Sequence, residues 1–364
     1  MVTTGTARIV EAEVSARFAW VDVAKGICIL LVVMMHSTLG TGAAMGGEGF
    51  LHAVVAFATP FRIPAFFLLS GLFLGRVIDR DWRRYADLRV VHFAYFYALW
   101  VVIQSAAKYG QVVEGAGPGA FLTHLASALV EPYSTLWFIY LLAVFSVVTK
   151  LLRRAPRPLL LLAAALMQIV PVPTSSILVE EFCARYVWFV AGFVFADRIF
   201  AFAGIARRRP FPALAGLALW AIIGGALAST PSGLASFPTL ATLPVLSLVS
   251  GGAGALAIVA VASLLTRWGG PITGALRQCG ERSMVIYLAF FLPMAATRAV
   301  LVKTSILADV GWASLIVTVA AATTPLVLER LTRPTPLAFL FRRPRAFHIE
   351  RPAAAPSAPF PQVA

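Results

Sequence analysis

Ten apolar runs punctuate the chain, most of them near the ~20 residues that an α-helix needs to cross the hydrocarbon of a bilayer. They cover roughly residues 20–40, 50–74, 90–107, 133–151, 157–172, 179–197, 211–230, 238–265, 283–302 and 307–328. The pattern predicts an all-α fold, a polytopic integral membrane helical bundle of about ten transmembrane helices over residues 1–345. The fifth run is short and ends at Pro171 and Pro173. The seventh and eighth are rich in Ala and Gly, which leaves their division open. No internal repeat is visible, so an inverted-repeat transporter gains no support. Residues 346–364 are rich in Pro and Ala and read as a disordered cytoplasmic tail.

The first run carries its own chemistry. Between Trp20 and Ser37 it holds three ionisable residues, Asp22, Lys25 and His36. At about 100° per residue, His36 lies about 20° off Lys25 after three turns, and ~16 Å deeper. Asp22, Lys25, Ile29, Val32 and His36 therefore share one face. A histidine at that depth is costly unless it faces protein or a wet cavity, so it is a functional candidate.

Composition agrees with a membrane protein. The 364 residues are 60% hydrophobic and 13% charged, where soluble domains carry about 25% charged residues. A net charge of +14 raises the question of nucleic acid. The bases fall in short clusters between apolar runs, with no long basic stripe, so no nucleic-acid partner is expected. Cys28, Cys183 and Cys279 lie in or beside spans without CxxC spacing, which predicts neither a disulfide framework nor a metal site. Met1 to Arg17 is polar, and the run after it is too long and too charged for a cleaved signal peptide.

Orientation follows from the cations. With the N-terminus inside, all of the 30 lysines and arginines fall on the cytoplasmic side except Arg62, Lys108, Arg185, Arg298 and Lys303. That bias predicts both termini in the cytoplasm. Lys108 and Lys303 sit at span ends and can snorkel outward. Arg62, Arg185 and Arg298 fall inside spans, at depths between mid-membrane and the outer surface, as does His36. Together they predict one polar pocket in the outer half, which Glu180 and Glu181 can close.

Each candidate has a plainer alternative. His36 can act as a general base or pack against a neighbouring helix. Lys25 can attract the phosphates of an anionic donor or anchor the span, with Asp22 as its i, i+3 partner. Arg62 lies between Pro60 and Pro64, which free backbone carbonyls inside a span. It can stabilise an oxyanion or bind phosphate, or snorkel to the outer surface, a reading that its apolar neighbours weaken. Ser134 or Thr135 can cap a helix. Trp137 and Tyr140 can stack on a sugar or form an aromatic belt. Tyr186 and Trp188 allow a cation–π contact with Arg185. Ser283 reads as an N-cap, with Tyr287 one turn deeper.

Four motifs, in order over residues 17–292, then carry a resemblance. They are Arg17-x-x-Trp20-x-Asp22-x-x-Lys25-Gly26 followed by His36; Phe61-Arg62-Ile63-Pro64-Ala65-Phe66-Phe67 with Ser70-Gly71; Leu136-Trp137-Phe138; and Gly280-x-x-Ser283-x-x-Ile286-Tyr287-Leu288. The chain resembles acyltransferase family 3, integral membrane acyltransferases found mainly in bacterial inner membranes. The resemblance implies acyl transfer from a cytoplasmic donor, usually acyl-CoA, to a hydroxyl of a sugar or other acceptor. His36 matches the family's essential histidine and Lys25 its paired basic residue. Two positions depart. Some members carry Arg-x-x-Arg where Arg62 is followed by Ala65, and many place a histidine where Phe290 stands.

The expected enzyme is thus an O-acyltransferase moving acetyl or succinyl onto a glycan or glycolipid, as a stand-alone module of the inner membrane among membrane lipids. No cofactor is expected to be permanently bound; acyl-CoA is the donor substrate. His36 and Arg62 are the catalytic candidates. Lys25, Arg185, Arg298, Glu181, Trp137 and Tyr287 are the substrate-binding candidates. A transporter or flippase of a polar lipid-linked substrate, or an inactive scaffold, would need a similar pocket.

Overall fold

The computed structural model describes residues 3–113, 117, 119–170 and 172–349, with only the backbone described over residues 3–18. The expected tail from residue 350 on, Arg351 included, and Pro171 lie outside the described residues. The chain forms a helical bundle. Helix α1 (Thr3–Met45) is followed by α2 (Phe50–Ala58), α3 (Arg62–Gly71), α4 (Trp82–Ala86) and α5 (His92–Ala107). The short α6 (Tyr109–Val112) and α7 (Gly119–Ser127) precede α8 (Trp137–Leu151), α9 (Arg157–Ile169), α10 (Ile177–Val194), α11 (Ala196–Arg208) and α12 (Pro210–Ser229). The chain closes with α13 (Pro244–Trp268), α14 (Pro271–Glu281), α15 (Ser283–Ala289), α16 (Phe291–Thr304) and α17 (Val310–Thr332). A small antiparallel hairpin, Pro231–Leu234 with Phe237–Thr239, joins α12 to α13.

Among the described residues six helices are long and apolar enough to cross a membrane, and nine spans result if each bent pair counts as one. The fifth predicted span, α9, has 13 residues. At 1.5 Å per residue it reaches about 20 Å, short of the ~30 Å hydrocarbon core. The second, sixth and ninth spans are broken, with bends of 46°, 74° and 52°. Proline explains two of the breaks. Pro60 and Pro293 lack the N–H that would bond the carbonyl four residues back. On either side of Pro60 the chain tightens to Thr59 N–Ala56 O and Phe61 N–Ala58 O bonds, both 3.2 Å.

The basic segments meet at one end of the bundle, called here the basic side. Arg282 and Arg333 both reach Glu329, at 3.7 and 3.6 Å. Arg267 donates to the Arg207 carbonyl at 2.7 Å. Lys150, counted in the sequence among the cytoplasmic-side cations, is fully buried. Its ammonium donates to the Ile78 carbonyl at 2.7 Å and to the Arg80 carbonyl, over the rings of Trp82 and Tyr85. The start of the expected tail is packed as well. Asp87 takes the Arg343 guanidinium at 3.0 Å and the Ile349 N–H at 2.8 Å, while Phe347 lies against Tyr95 at 4.9 Å.

Two glycine crossings set the helix positions. A Cβ on Gly280 would sit 1.6 Å from the Asp22 carbonyl oxygen, and one on Gly26 would sit 2.0 Å from that of Leu276. On α3 and α10, Cβ atoms on Gly71 and Gly192 would lie 2.1 and 2.0 Å from the carbonyl oxygens of Phe189 and Leu68. Small residues let backbones approach closely where lipid supplies no hydrophobic drive to associate. Helix α1, in the middle, touches α2, α3, α13, α14, α15, α16 and α17.

Substituting Gly280→Val should force α1 from α14 and lower the melting temperature of the purified protein, by an overpacking penalty of ~1–3 kcal/mol. Gly274→Val, on the same helix with nothing within 4 Å of its Cβ, should fall by much less. Equal melting temperatures for the two variants would refute the crossing.

Candidate active site

Lys25 opens a cavity on the basic side. About 250 Å³ in volume, it is lined by Lys25 and Arg89, then by Ser70 of α3 and Phe73 just past it, α8 at Phe138 and Ser146, and α15 at Ser283 and Tyr287. Arg89 was counted in the sequence only as a basic-side cation. The structure sets it within electrostatic reach of Lys25, so two cations guard the mouth. A second cation at the inner end of an adjacent span was the available signal. Ser283 is not the N-cap of α15; Arg282 holds that position, and Ser283 lines the cavity instead. The stripe joining Lys25 to His36 is closed, because Ile29 and Val32 are buried in the core. The open path leaves α1 at Lys25 and follows α3 and α8.

Tyr287 forms the deep end. It is buried; its hydroxyl donates to the Thr135 carbonyl and accepts the Phe138 N–H. This pins α15 to the start of α8. Neither Ser134 nor Thr135 caps α8 by its side chain. Trp137 is no lone belt residue. It is half-buried and packs with Phe67 and Phe138, ring centroids 6.1 and 6.3 Å apart.

Beyond Tyr287 stands Phe290, fully buried at the bend between α15 and α16. Its ring lies 6.4 Å from Tyr287 and 5.4 Å from the His36 imidazole. The cavity and the histidine thus meet across one phenyl ring.

His36, half-buried, faces Arg62 within electrostatic reach. Arg62 opens α3 just past the proline break. The Val55 carbonyl accepts the Thr59 hydroxyl at 2.8 Å and Arg62 Nη1 at 3.4 Å. Nη1 also donates to Thr59 Oγ1 at 2.8 Å, and Nε is buried with no partner among the described residues. Arg185 is the next charge beyond Arg62. It pairs with Glu181 at 2.9 Å. Glu180 turns away, accepting the Thr174 N–H at 2.9 Å. The aromatic partners expected for Arg185 are engaged elsewhere: Tyr186 bonds Thr149 at 3.0 Å, and Trp188 packs on Gly251.

Arg298 reaches α1 one turn past His36, since a Cβ on Gly40 would lie 2.2 Å from its Nη1. Lys108, expected to snorkel outward, turns inward. Its Nζ sits 4.2 Å from the centre of the Phe291 ring, 3.4 Å from Ser134 Oγ, and within reach of Arg298. The four predicted groups, His36, Arg62, Arg185 and Arg298, are therefore gathered on the side away from the basic end, with Lys108 added.

The fold is that of a multi-pass membrane protein whose cation-guarded cavity ends at Tyr287, with the Phe290 ring between it and His36. The family profile described as the acyltransferase domain matches residues 18–329, and the chain belongs to that family. A curated relative, the inner membrane protein YcfT of Escherichia coli (strain K12), is 28% identical over 42% of this chain and 50% of the relative. The match thus spans half of that protein's length. No solved structure matches the chain significantly.

Tyr287→Phe removes the hydroxyl that joins Thr135 to Phe138 and strands two buried backbone groups, at a cost of ~1–3 kcal/mol. A lower melting temperature is expected in thermal unfolding, whereas wild-type stability would show that the pin carries no load.

Proposed function

We propose that this chain is a membrane O-acyltransferase that accepts acyl-CoA from the cytoplasmic, basic side. It moves a short acyl group, acetyl or succinyl, to a hydroxyl of a glycan or glycolipid on the far side. The name of its bacterial relative supports an inner-membrane location. One observation carries the proposal: the cavity that starts at Lys25 and Arg89 and ends at Tyr287, one ring from His36.

Cations at the mouth suit the donor's phosphates, held as charge-assisted hydrogen bonds. The narrow apolar stretch between α3 and α8 suits a pantetheine arm, with its thioester at the deep end. Phe290 then has to turn aside for the thioester to meet the acceptor beside His36. His36 takes the proton of the acceptor hydroxyl as its oxygen attacks the thioester carbon. The tetrahedral oxyanion draws on Arg62, whose buried Nε has no other partner among the described residues. When the carbon–sulfur bond breaks, the imidazolium returns its proton to the thiolate, leaving an ester and free CoA thiol. Relay of the acyl group through His36 uses the same residues. Arg185, Arg298, Glu181 and Trp137 surround the acceptor side and hold the acceptor.

His36→Ala should lower acyl transfer by about 10²–10⁴-fold, the range of general acid–base catalysis, in membranes holding equal amounts of protein. Undiminished turnover would remove His36 from the chemistry. The double variant Lys25→Gln/Arg89→Gln should raise the KM for acyl-CoA by roughly 10–100-fold, as expected for lost hydrogen bonds between charged groups, with kcat little changed. A fall in kcat at unchanged KM would move those cations out of the donor site.

A further inference from the structure

A second cavity opens on the basic side, with a volume of about 740 Å³. Arg76, just past α3, Arg157, at the start of α9, and Arg207 and Arg208, at the end of α11, line it. Among the described residues, Asp197 is the acidic residue in the lining, beside Arg157, Arg207 and Arg208. The floor is apolar and aromatic, formed by Trp20, Phe193 and Phe200. Arg157 lies 5.6 Å over the Phe193 ring, an orientation that holds its planar donor fork in place.

The two cavities are distinct. Phe73 lines the first, and its ring packs edge-on against Phe200 of the second, centroids 5.8 Å apart. Trp20 and Lys25 are five residues apart on α1, about 140° around the helix. No step of the proposed acyl transfer uses the second cavity.

Its position suggests what fills it. Helix α11 turns 74° from α10 and carries charge at both ends, Asp197 and Arg198, then Arg207 and Arg208. Its buried face is Ile199, Ala203 and Ala206. An amphipathic helix crossing the end of a bundle lies in the plane of the membrane interface. The cavity therefore opens where lipid headgroups sit. We propose that it binds the phosphate headgroup of an anionic phospholipid, with the arginines on the phosphate and the glycerol and upper acyl chain on the aromatic floor. A soluble phosphate would engage the same arginines but leave that floor uncovered. The inference is independent of the catalytic proposal.

The test uses the full chain in nanodiscs of phosphatidylcholine, with and without phosphatidylglycerol, followed by thermal unfolding and by native mass spectrometry of retained lipid. Phosphatidylglycerol should raise the melting temperature of the wild type. In Arg157→Gln/Arg208→Gln the rise should vanish, and lipid retention should weaken roughly thirtyfold, at about 1 kcal/mol per arginine. The control Arg80→Gln/Arg153→Gln, outside the lining, should keep the wild-type response. The milder Arg208→Gln serves if the double variant does not fold, and should weaken retention by about fivefold. An undiminished response in the cavity variants overturns the site, as does an equal loss in the control. Stabilisation by inorganic phosphate or ADP in place of phosphatidylglycerol overturns the lipid assignment. None of these readouts depends on acyl transfer.

Discussion

Everything at the candidate site depends on backbones meeting where no side chain intervenes. Inside a bilayer the lipid is as apolar as the helices, so close packing between helices has to supply what hydrophobic burial supplies in water. Gly26 and Gly280 provide it for α1 and α14, and Gly71 and Gly192 for α3 and α10. Each pair acts as an origin from which the reactive groups are measured. Ten residues on from Gly26 lies His36, and ten on from Gly280 lies Phe290, and their rings meet. Nine residues back from Gly71 lies Arg62, and seven back from Gly192 lies Arg185, its electrostatic neighbour. A shift of either crossing would misalign one half of the site against the other.

The breaks in three spans do complementary work. A straight helix satisfies its own carbonyls and offers nothing to a ligand. At the Pro60 break the Thr59 N–H turns to the Ala56 carbonyl, and the Thr59 hydroxyl and Arg62 take the Val55 carbonyl instead. That anchors a guanidinium inside the membrane while leaving Nε unspent. At the bend before Pro293, Phe290 turns towards α1. At Phe195 the chain leaves α10 for the basic-side surface as α11, which builds the arginine-lined cavity. Apolar length puts this chain in the membrane, and the interruptions of that length give it chemistry.

Length and charge made much of this legible before any coordinates. Runs of apolar residues located nearly every span, and the clustering of cations anticipated the basic end. Depth alone predicted that His36, Arg62, Arg185 and Arg298 would gather. What stayed hidden depends on facing, which hydropathy does not encode. Arg89 looked like another basic-side cation, and Lys108 like another snorkelling end, until their helices were rotated into place. Lys150 was hidden for the same reason; two loop carbonyls and two rings make its burial tolerable. Gly26, Gly71 and Gly280 appear in motifs that the chain shares with the family it resembles, yet their role is a contact distance between two helices. Helix α11 falls between two predicted spans, because its apolar face is too narrow to register as one.

Phe290 concentrates the remaining chemistry. Many members of the family that this chain resembles place a histidine there, and a second imidazole beside the first would allow a proton to be taken by one and given by the other. A phenyl ring carries no proton. In the proposed reaction His36 must then perform both transfers, accepting from the acceptor hydroxyl and returning to the thiolate. That is consistent with microscopic economy only if hydroxyl and sulfur both come within hydrogen-bond reach of one imidazole during the same encounter. The geometry favours such an arrangement. Phe290 lies between the deep end of the cavity and His36, so in the proposed reaction a movement that admits the thioester would also bring its sulfur to the histidine. The apolar ring has a further effect at rest. In the proposed reaction its resting position would separate the thioester from the acceptor side until the acceptor hydroxyl is in place.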